Sequence, residues 1–226
     1  MGGTIKLIIF NVGLLVTGRL LDHSYVHDDS FDRQYGVDTS GVVELDEMTN
    51  PAGSLKGATP YEALDPQWFD FLISRAAIGN IDEFQLIDIG SGKGRVLMAA
   101  ALAGFPDVIG VEIDEGLHRV ASRNMEIFQE HTPDVRFTLY HADLREFAFP
   151  LGSIVCFANN PVHQPIFQEF VTKIEEALFA HPRKFIFVYL HALHVEAFAN
   201  AHWVELDAGL VDGSDRHPYA IYDWMG

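Results

Sequence analysis

The sequence predicts an α/β protein, doubly wound around a mostly parallel seven-stranded sheet that closes with a C-terminal antiparallel hairpin. Three observations carry this. From residue 84 onward, short apolar runs rich in β-branched and aromatic residues alternate with helical segments. Glycines at alternate positions, Gly90, Gly92 and Gly94, follow the first run, where a strand gives way to a helix. The last two runs, HWVELDAGLV and PYAIYDWM, are joined by DGSDRH with no helix between them, which is a hairpin pattern rather than a parallel crossover.

In chain order, the first segment is MGGTIKLIIFNVGLLVTGRLLD. Its uncharged stretch covers only residues 7–18, whereas about 20 residues are needed to span a bilayer as a helix. A helix packed on the domain or on a second subunit is expected, with weak peripheral membrane contact as the alternative. No basic start or small-residue cleavage site marks a secretory signal. Residues 22–60 are rich in Asp, Ser, Thr, Gly and Pro without sustained periodicity, and segments this long are usually functional. A helix should begin at Pro66 behind an Asp65 cap, present Trp68, Phe69, Leu72, Ile73 and Ala76 on one face, and stop at Gly79. Then follow strand FQLIDIG, helix GRVLMAAALAG, strand DVIGVEI, helix EGLHRVASRNMEIFQE, and strands RFTLYHA and SIVCFA. Helix QPIFQEFVTKIEEALFA, strand KFIFVYLH and the hairpin complete the chain. The division is therefore 1–64, an N-terminal helix and lid-like extension, and 65–226, a ligand-binding domain.

With 226 residues and 48% hydrophobic content the chain can bury one substantial core. Its formal charge of −17 repels nucleic-acid phosphates and no basic patch offsets it, so no nucleic-acid partner is expected. The acidity is either a solvated surface or an attraction for a basic protein or cationic substrate. Cys156 is the only cysteine, which rules out an intrachain disulfide and fits a reducing, cytoplasmic setting. In SIVCFA it reads as a small buried hydrophobe rather than a nucleophile. Nothing in the sequence fixes an oligomeric state.

The stretch LIDIGSGKGR, residues 86–95, is where a ligand is expected, because open parallel sheets bind beyond their strands' carboxyl ends. Two ligand classes compete. A dinucleotide loop reads GxGxxG and would place glycine where Arg95 stands, with a pyrophosphate on the helix N-terminus. S-adenosylmethionine has no phosphate and presents an ammonium, which a carboxylate at Asp88 would attract. Glu112, 22 residues beyond Gly90 and followed by Ile113, can accept both ribose hydroxyls, a feature shared with NAD sites. Asp143, beside Ala142, can accept from an adenine amino group while a backbone amide serves a ring nitrogen. An NAD-type oxidoreductase, or a plain tight turn with surface acids, remains the alternative.

The runs DIGSGKGR, VIGVEID and HADL, at these intervals, resemble those of the class I S-adenosylmethionine-dependent methyltransferases over residues 65–226. The resemblance implies a Rossmann-like methyltransferase fold, S-adenosylmethionine as cofactor and S-adenosylhomocysteine as product. It implies that Asp88, Gly90, Ser91, Gly92, Gly94, Glu112, Ile113, Ala142, Asp143 and Asn159 hold the cofactor. Thr59 and Tyr61 would join them if the segment over 22–61 folds down as a lid. No metal is expected, since His191 and His194 in HALH come without a cysteine cluster or HExxH. His191 stays open as a base.

The acceptor should meet the cofactor at SIVCFANNPVHQ. Many amino-group methyltransferases carry an acid or asparagine, two prolines and an aromatic here; Asn159, Asn160, Pro161 and Val162 depart from that pattern. VCFANN, with IDIGSGKGRV and GVE, resembles the non-SET histone lysine methyltransferases, while FDRQYGVDTSG, residues 31–41, is similar to the opening of a group of bacterial methyltransferases. Asn159 and Asn160 are thus the catalytic candidates, with strand-end capping as their bland alternative. A protein lysine or other amine is the expected acceptor, a small molecule the next, and a non-catalytic cofactor-binding scaffold the competing class. A lysine would have to lose its proton, at about 4.6 kcal/mol at pH 7, which a dry aromatic channel could offset. Tyr35, Tyr61, Phe157 and Tyr189 are candidate walls, or else core aromatics.

Overall fold

The computed structural model describes residues 29–50, 55–213 and 216–226. The helix expected over 7–18 lies outside the described residues, as do two of the six residues of the DGSDRH turn. Among the described residues no helix is long and apolar enough to cross a membrane. In chain order the elements are α1 (Ser30–Tyr35), β1 (Val42–Val43), β2 (Tyr61–Glu62), α2 (Pro66–Arg75), β3 (Phe84–Ile89), α3 (Arg95–Leu102) and β4 (Asp107–Glu112). They continue with α4 (Glu115–Phe128), β5 (Arg136–His141), β6 (Ser153–Asn159), α5 (Ile166–Ala180), β7 (Phe185–Leu190), β8 (Trp203–Leu210) and β9 (Pro218–Trp224).

All seven expected strands form, in the order β5-β4-β3-β6-β7-β9-β8. The first five are parallel, and β9 runs antiparallel to both β7 and β8. Side chains alternate faces along a strand, so each central strand feeds two cores. On β6, Ile154, Cys156 and Ala158 pack with Phe167, Phe170, Ile174 and Leu178 of α5. Val155 and Phe157 point the other way, to Phe69 and Leu72 of α2, Leu97 of α3 and Phe128 of α4. Helices on both faces explain why β6 and β7 read as unbroken apolar runs rather than alternating ones. Cys156 sits fully buried in the first cluster, where burial and the charge of Asp88 push its thiol well above the ordinary range, as expected of an inert core cysteine.

The caps follow from the side chains. Asp65 accepts from the Gln67 amide at 2.9 Å with Pro66 at the first helical position, and Asp114 accepts from Leu117 at 2.9 Å to start α4. Helix α2 stops at Arg75, short of the expected Gly79, because Ala77 turns to φ +50°. The second difference lies in the segment read as aperiodic. It contains α1, too short to show a helical period, and a two-residue ladder pairing Val42 with Glu62 and Val43 with Tyr61. Phe31 and Tyr35 of α1 pack on the second core, Tyr35 with its ring 5.0 Å from Phe128.

From β3 the chain winds one way through α3 to β4, while β6 lies on β3's other side. That reversal opens a crevice at the carboxyl ends of β3, β4 and β6.

Candidate functional site

A cleft of about 1000 Å3, its open mouth included, occupies that crevice. Of the expected residues, Thr59, Tyr61, Asp88, Gly90, Ser91, Gly92, Glu112, Ile113, Ala142, Asp143 and Asn159 line it; Gly94 and Asn160 do not. The glycine loop explains the first exception. Gly90, Gly92 and Gly94 all adopt left-handed backbone, at φ +77°, +53° and +89°. A Cβ on Gly90 would stand 2.7 Å from the Cβ of Pro161, and one on Gly92 would stand 2.2 Å from the Tyr61 ring. At Gly94 the near atom is the Met125 Cε, 3.0 Å away, so this glycine lets α3 and α4 approach and does not face the cleft.

Four of the loop's amides are already used. Gly90 and Ser91 donate to the Val111 carbonyl at 2.9 and 3.1 Å, Gly94 to Ser91 at 2.8 Å, and Gly92 to Glu112 Oε2 at 2.8 Å. A turn with these donors engaged, and a carboxylate on one of them, is poorly made for a pyrophosphate. The acids tell the same story. Asp88, 2% exposed, accepts no hydrogen bond from any described residue, and burial together with the charge of Glu112 pushes its carboxyl well above the usual carboxylate range. Such a group either keeps its proton or takes a cation beside it. Glu112, 6% exposed, is also raised by burial, opposed by the amides of Gly92 and Asp114 that donate to its two oxygens at 2.8 Å each. Ser91 Oγ is buried without a partner among the described residues.

Asp143 differs from expectation. Its carboxylate is gripped by Arg145, with Nη2 at 2.5 Å from Oδ2 and Nε at 3.0 Å from Oδ1, and this pair holds its pKa below the usual range. An adenine amino group would share an oxygen with that guanidinium. Arg145 lines the cleft too and was not foreseen, since its role depends on a two-residue turn that spacing alone does not reveal.

The N-terminal segment is a strap bonded at three places. At the glycine loop, buried Arg95 donates to Thr39 Oγ1 at 2.6 Å, to the Leu64 carbonyl at 3.1 Å, and to Asp32 Oδ1 at 3.2 Å. Asp32 in turn accepts from the amides of Thr39 and Ser40 at 2.7 Å each. At the end of β4, Asp114 Oδ2 accepts from the amides of Thr49 and Asn50 at 2.8 and 3.1 Å. At the end of β6, Thr59 donates through Oγ1 to the Asn160 carbonyl at 2.9 Å and through its amide to the Pro161 carbonyl at 3.2 Å. Between these anchors Met48, Lys56, Thr59, Pro60, Tyr61, Glu62 and Leu64 wall the cleft. Tyr61 donates its hydroxyl to the Thr39 carbonyl at 2.5 Å. Arg95, standing where a dinucleotide loop would carry glycine, is thus the strap's latch.

At the carboxyl end of β6, Asn160 is not brought to the cleft as expected. Its Oδ1 accepts from the Tyr189 hydroxyl at 3.0 Å and its side chain does not reach the cleft wall, so it ties β6 to β7. The aromatic channel is not assembled: of the four candidate walls only Tyr61 lines the cleft, while Phe157 and Tyr189 are in the cores and Tyr35 packs on Phe128. His191, considered as a base, is 4% exposed and lies behind Asn159, its Nδ1 2.7 Å from Asn159 Oδ1.

No protein-family model matches the chain, and no curated protein matches it. Solved structures do. Geranyl diphosphate C-methyltransferase from Streptomyces coelicolor A3(2), in complex with Mg2+, geranyl diphosphate and S-adenosyl-L-homocysteine, superposes with a TM-score of 0.55 at 12% identity, over 89% of this chain and 95% of that one. The ribosomal protein L11 methylase from Lactobacillus delbrueckii subsp. bulgaricus gives 0.52 at 15% identity, over 71% and 78%. The chain therefore has the Rossmann-like fold of these methyltransferases.

Proposed function

We propose that this chain is an S-adenosylmethionine-dependent methyltransferase acting on a small-molecule acceptor. The observation that carries the reading is Asp88: a buried carboxylate, without a donor among the described residues, facing a cleft at the carboxyl end of β3. Its site fits an ammonium and disfavours a phosphate. In this reading Asp88 and the loop Gly90, Ser91 and Gly92 hold the methionine end, with Ser91 Oγ supplying an unspent polar group. Glu112 uses the free lone pairs of its oxygens for the ribose, beside Ile113. Ala142 and Asp143 face the adenine, with Thr59 and Tyr61 of the strap closing over the cofactor and Asn159 beside the methyl group.

The cofactor supplies an electrophilic methyl on a sulfonium. What the chain contributes is alignment and exclusion of water: the strap's three anchors wall the cleft, and most of the loop's amides are engaged within the protein. The small-molecule acceptor is preferred to the lysine expected from sequence because a lysine would need dry aromatic walls, and among the described residues only Tyr61 supplies an aromatic ring to the cleft.

The test is calorimetric and chemical. S-adenosylhomocysteine should bind and NAD should not, and Asp88→Ala should weaken that binding by about tenfold or more, as for loss of a charge-assisted bond. Methyl label from S-adenosylmethionine incubated with cell lysate should enter the small-molecule fraction. Binding of NAD alone ends the reading; tight S-adenosylhomocysteine binding with no transfer to any fraction favours a scaffold; label in protein lysines restores the alternative acceptor.

A further inference from the structure

The carboxyl ends of β6 and β7 hold a hydrogen-bonded chain that the cofactor does not need. Asn159, the last residue of β6, lines the cleft; its Oδ1 lies 2.7 Å from His191 Nδ1. His191 Nε2 lies 2.9 Å from His217 Nδ1, and both rings are buried, at 4% and 3% exposure. His217 packs against the Trp68 ring at 4.3 Å, with its Nε2 3.9 Å from Asp212 Oδ2. An amide oxygen cannot donate, so with Oδ1 on this side Nδ1 of His191 carries the hydrogen, and in the neutral ring Nε2 accepts from His217 Nδ1. His191 adopts φ +48°, a conformation a residue other than glycine holds only when its surroundings fix it.

This chain sets a polarity. With Oδ1 turned to His191, the Nδ2 of Asn159 is the end left for the cleft, and no described residue accepts from it. The neighbouring oxygens each already accept one bond: Asn160 Oδ1 from Tyr189, the Asn160 carbonyl from Thr59 Oγ1 and the Pro161 carbonyl from the Thr59 amide. Beside them, the polar side-chain group of Asn159 left without a bond among the described residues is a donor, Nδ2.

The geometry points to an oxygen acceptor, a carboxylate or phenolate held by Asn159 Nδ2, with His191 as the positioning residue that turns Asn159 this way. The inference rests on the methyltransferase reading above. In the step, a lone pair of the acceptor oxygen forms the new C–O bond as the methyl–sulfur bond breaks, and that bond's electrons remain on sulfur as the neutral thioether. An anionic oxygen brings no proton that must be removed, which agrees with a histidine capped by Asn159 rather than open to the cleft.

The experiment uses the full chain with S-adenosylhomocysteine. Long-range proton–nitrogen correlation spectra of protein labelled with 15N-histidine, assigned through His191→Gln and His217→Gln, should show His191 protonated at Nδ1 and bare at Nε2. The reverse tautomer would overturn the inference, because Asn159 would then donate to His191 and show its oxygen to the cleft. In parallel, methyl-labelled S-adenosylmethionine is incubated with a small-molecule extract. Alkali-labile methyl esters or aryl methyl ethers support the inference, methylamines overturn it, and absence of product leaves the tautomer to decide. His191→Leu should lower transfer by about tenfold, the loss of one buried hydrogen bond, and His191→Gln should recover it by donating to Oδ1. S-adenosylhomocysteine affinity should stay within about twofold in both, since His191 is outside the cleft wall. Failure to bind S-adenosylhomocysteine would sink the methyltransferase reading itself, a result distinct from the wrong tautomer or product.

Discussion

Gly92 and Tyr61, 31 positions apart in sequence, occupy one space, and the energy of that sharing can be worked out. A Cβ at position 92 would lie 2.2 and 2.3 Å from two ring carbons of Tyr61, so the ring must leave if a side chain arrives. Alanine at φ +53° costs about 1 kcal/mol for left-handed backbone. Expelling the partly buried tyrosine ring, of about 150 Å2, costs at most about 4 kcal/mol at about 25 cal/mol per Å2. Gly92→Ala should therefore cost about 5 kcal/mol. Tyr61→Ala, which gives up the ring directly, should cost about 4 kcal/mol, within the range for aromatic truncations. In the double variant the clash is gone and only the strain is added, so the total should be about 5 kcal/mol instead of the additive 9, a coupling of about 4 kcal/mol. Urea denaturation without ligand measures all four corners. A double variant near the additive sum, or a Gly92→Ala cost of only about 1 kcal/mol, would refute the packing of strap on loop.

The acids give further predictions. Because burial raises Asp88, S-adenosylhomocysteine binding should release a proton at pH values between the ligand-bound and the free pKa; affinity should rise with pH through that window, and Asp88→Asn should flatten the profile, as read by calorimetry in buffers of different ionisation enthalpy. Asp32 has the opposite sign. Burial works to raise it, but the bonds from Thr39 and Ser40 outweigh that and leave it below its ordinary value. Its contribution should be complete above the unfolded value of about 3.9 and be lost as pH falls through the lower folded value. Asp32→Asn should thus cost about 3–5 kcal/mol at pH 7, where it strands Arg95, and much less once the pH has fallen below the folded value, by urea midpoints. Gly94→Ala should lower stability through φ +89° and the 3.0 Å contact with Met125 yet leave S-adenosylhomocysteine affinity per folded molecule within about twofold. Gly90→Ala should weaken that affinity by about tenfold, because its Cβ would displace Pro161 at the cleft wall.

The sheet was legible because its signals are local. Period-two and period-3.6 patterns, the Asp65 and Asp114 caps and the glycine turn each involve residues a few positions apart, and together they give strand count, order of elements and the position of the cleft. The acids at strand ends were legible for the same reason, since topology alone brings the ends of β3 and β4 side by side. What sequence could not show was how those groups are used. Gly94 looks like Gly90 and Gly92 in the string, but it packs against Met125, which is contributed by the next helix. Asn160 looks like Asn159, yet Tyr189 from the adjacent strand claims its side chain.

The strap shows what length and composition leave out. A stretch rich in Asp, Ser, Thr and Gly reads as a long functional segment without naming its contacts, and here those polar side chains are the anchors: Asp32 and Thr39 to Arg95, Thr49 and Asn50 to Asp114, Thr59 to the end of β6. A buried guanidinium needs donors matched to carbonyl, hydroxyl and carboxylate acceptors, so the strap's polarity is what lets it lie on the core instead of over it. The arrangement also divides the labour of the cleft. Strap and glycine loop meet through Tyr61 against Gly92 at the end proposed for the cofactor, whereas Asn159, His191 and His217, beside the ends of β6 and β7 and the start of β9, lie at the end proposed for the acceptor. Substitutions in the strap should therefore move cofactor affinity, and substitutions along the histidine chain should move acceptor choice, with little crossing between the two.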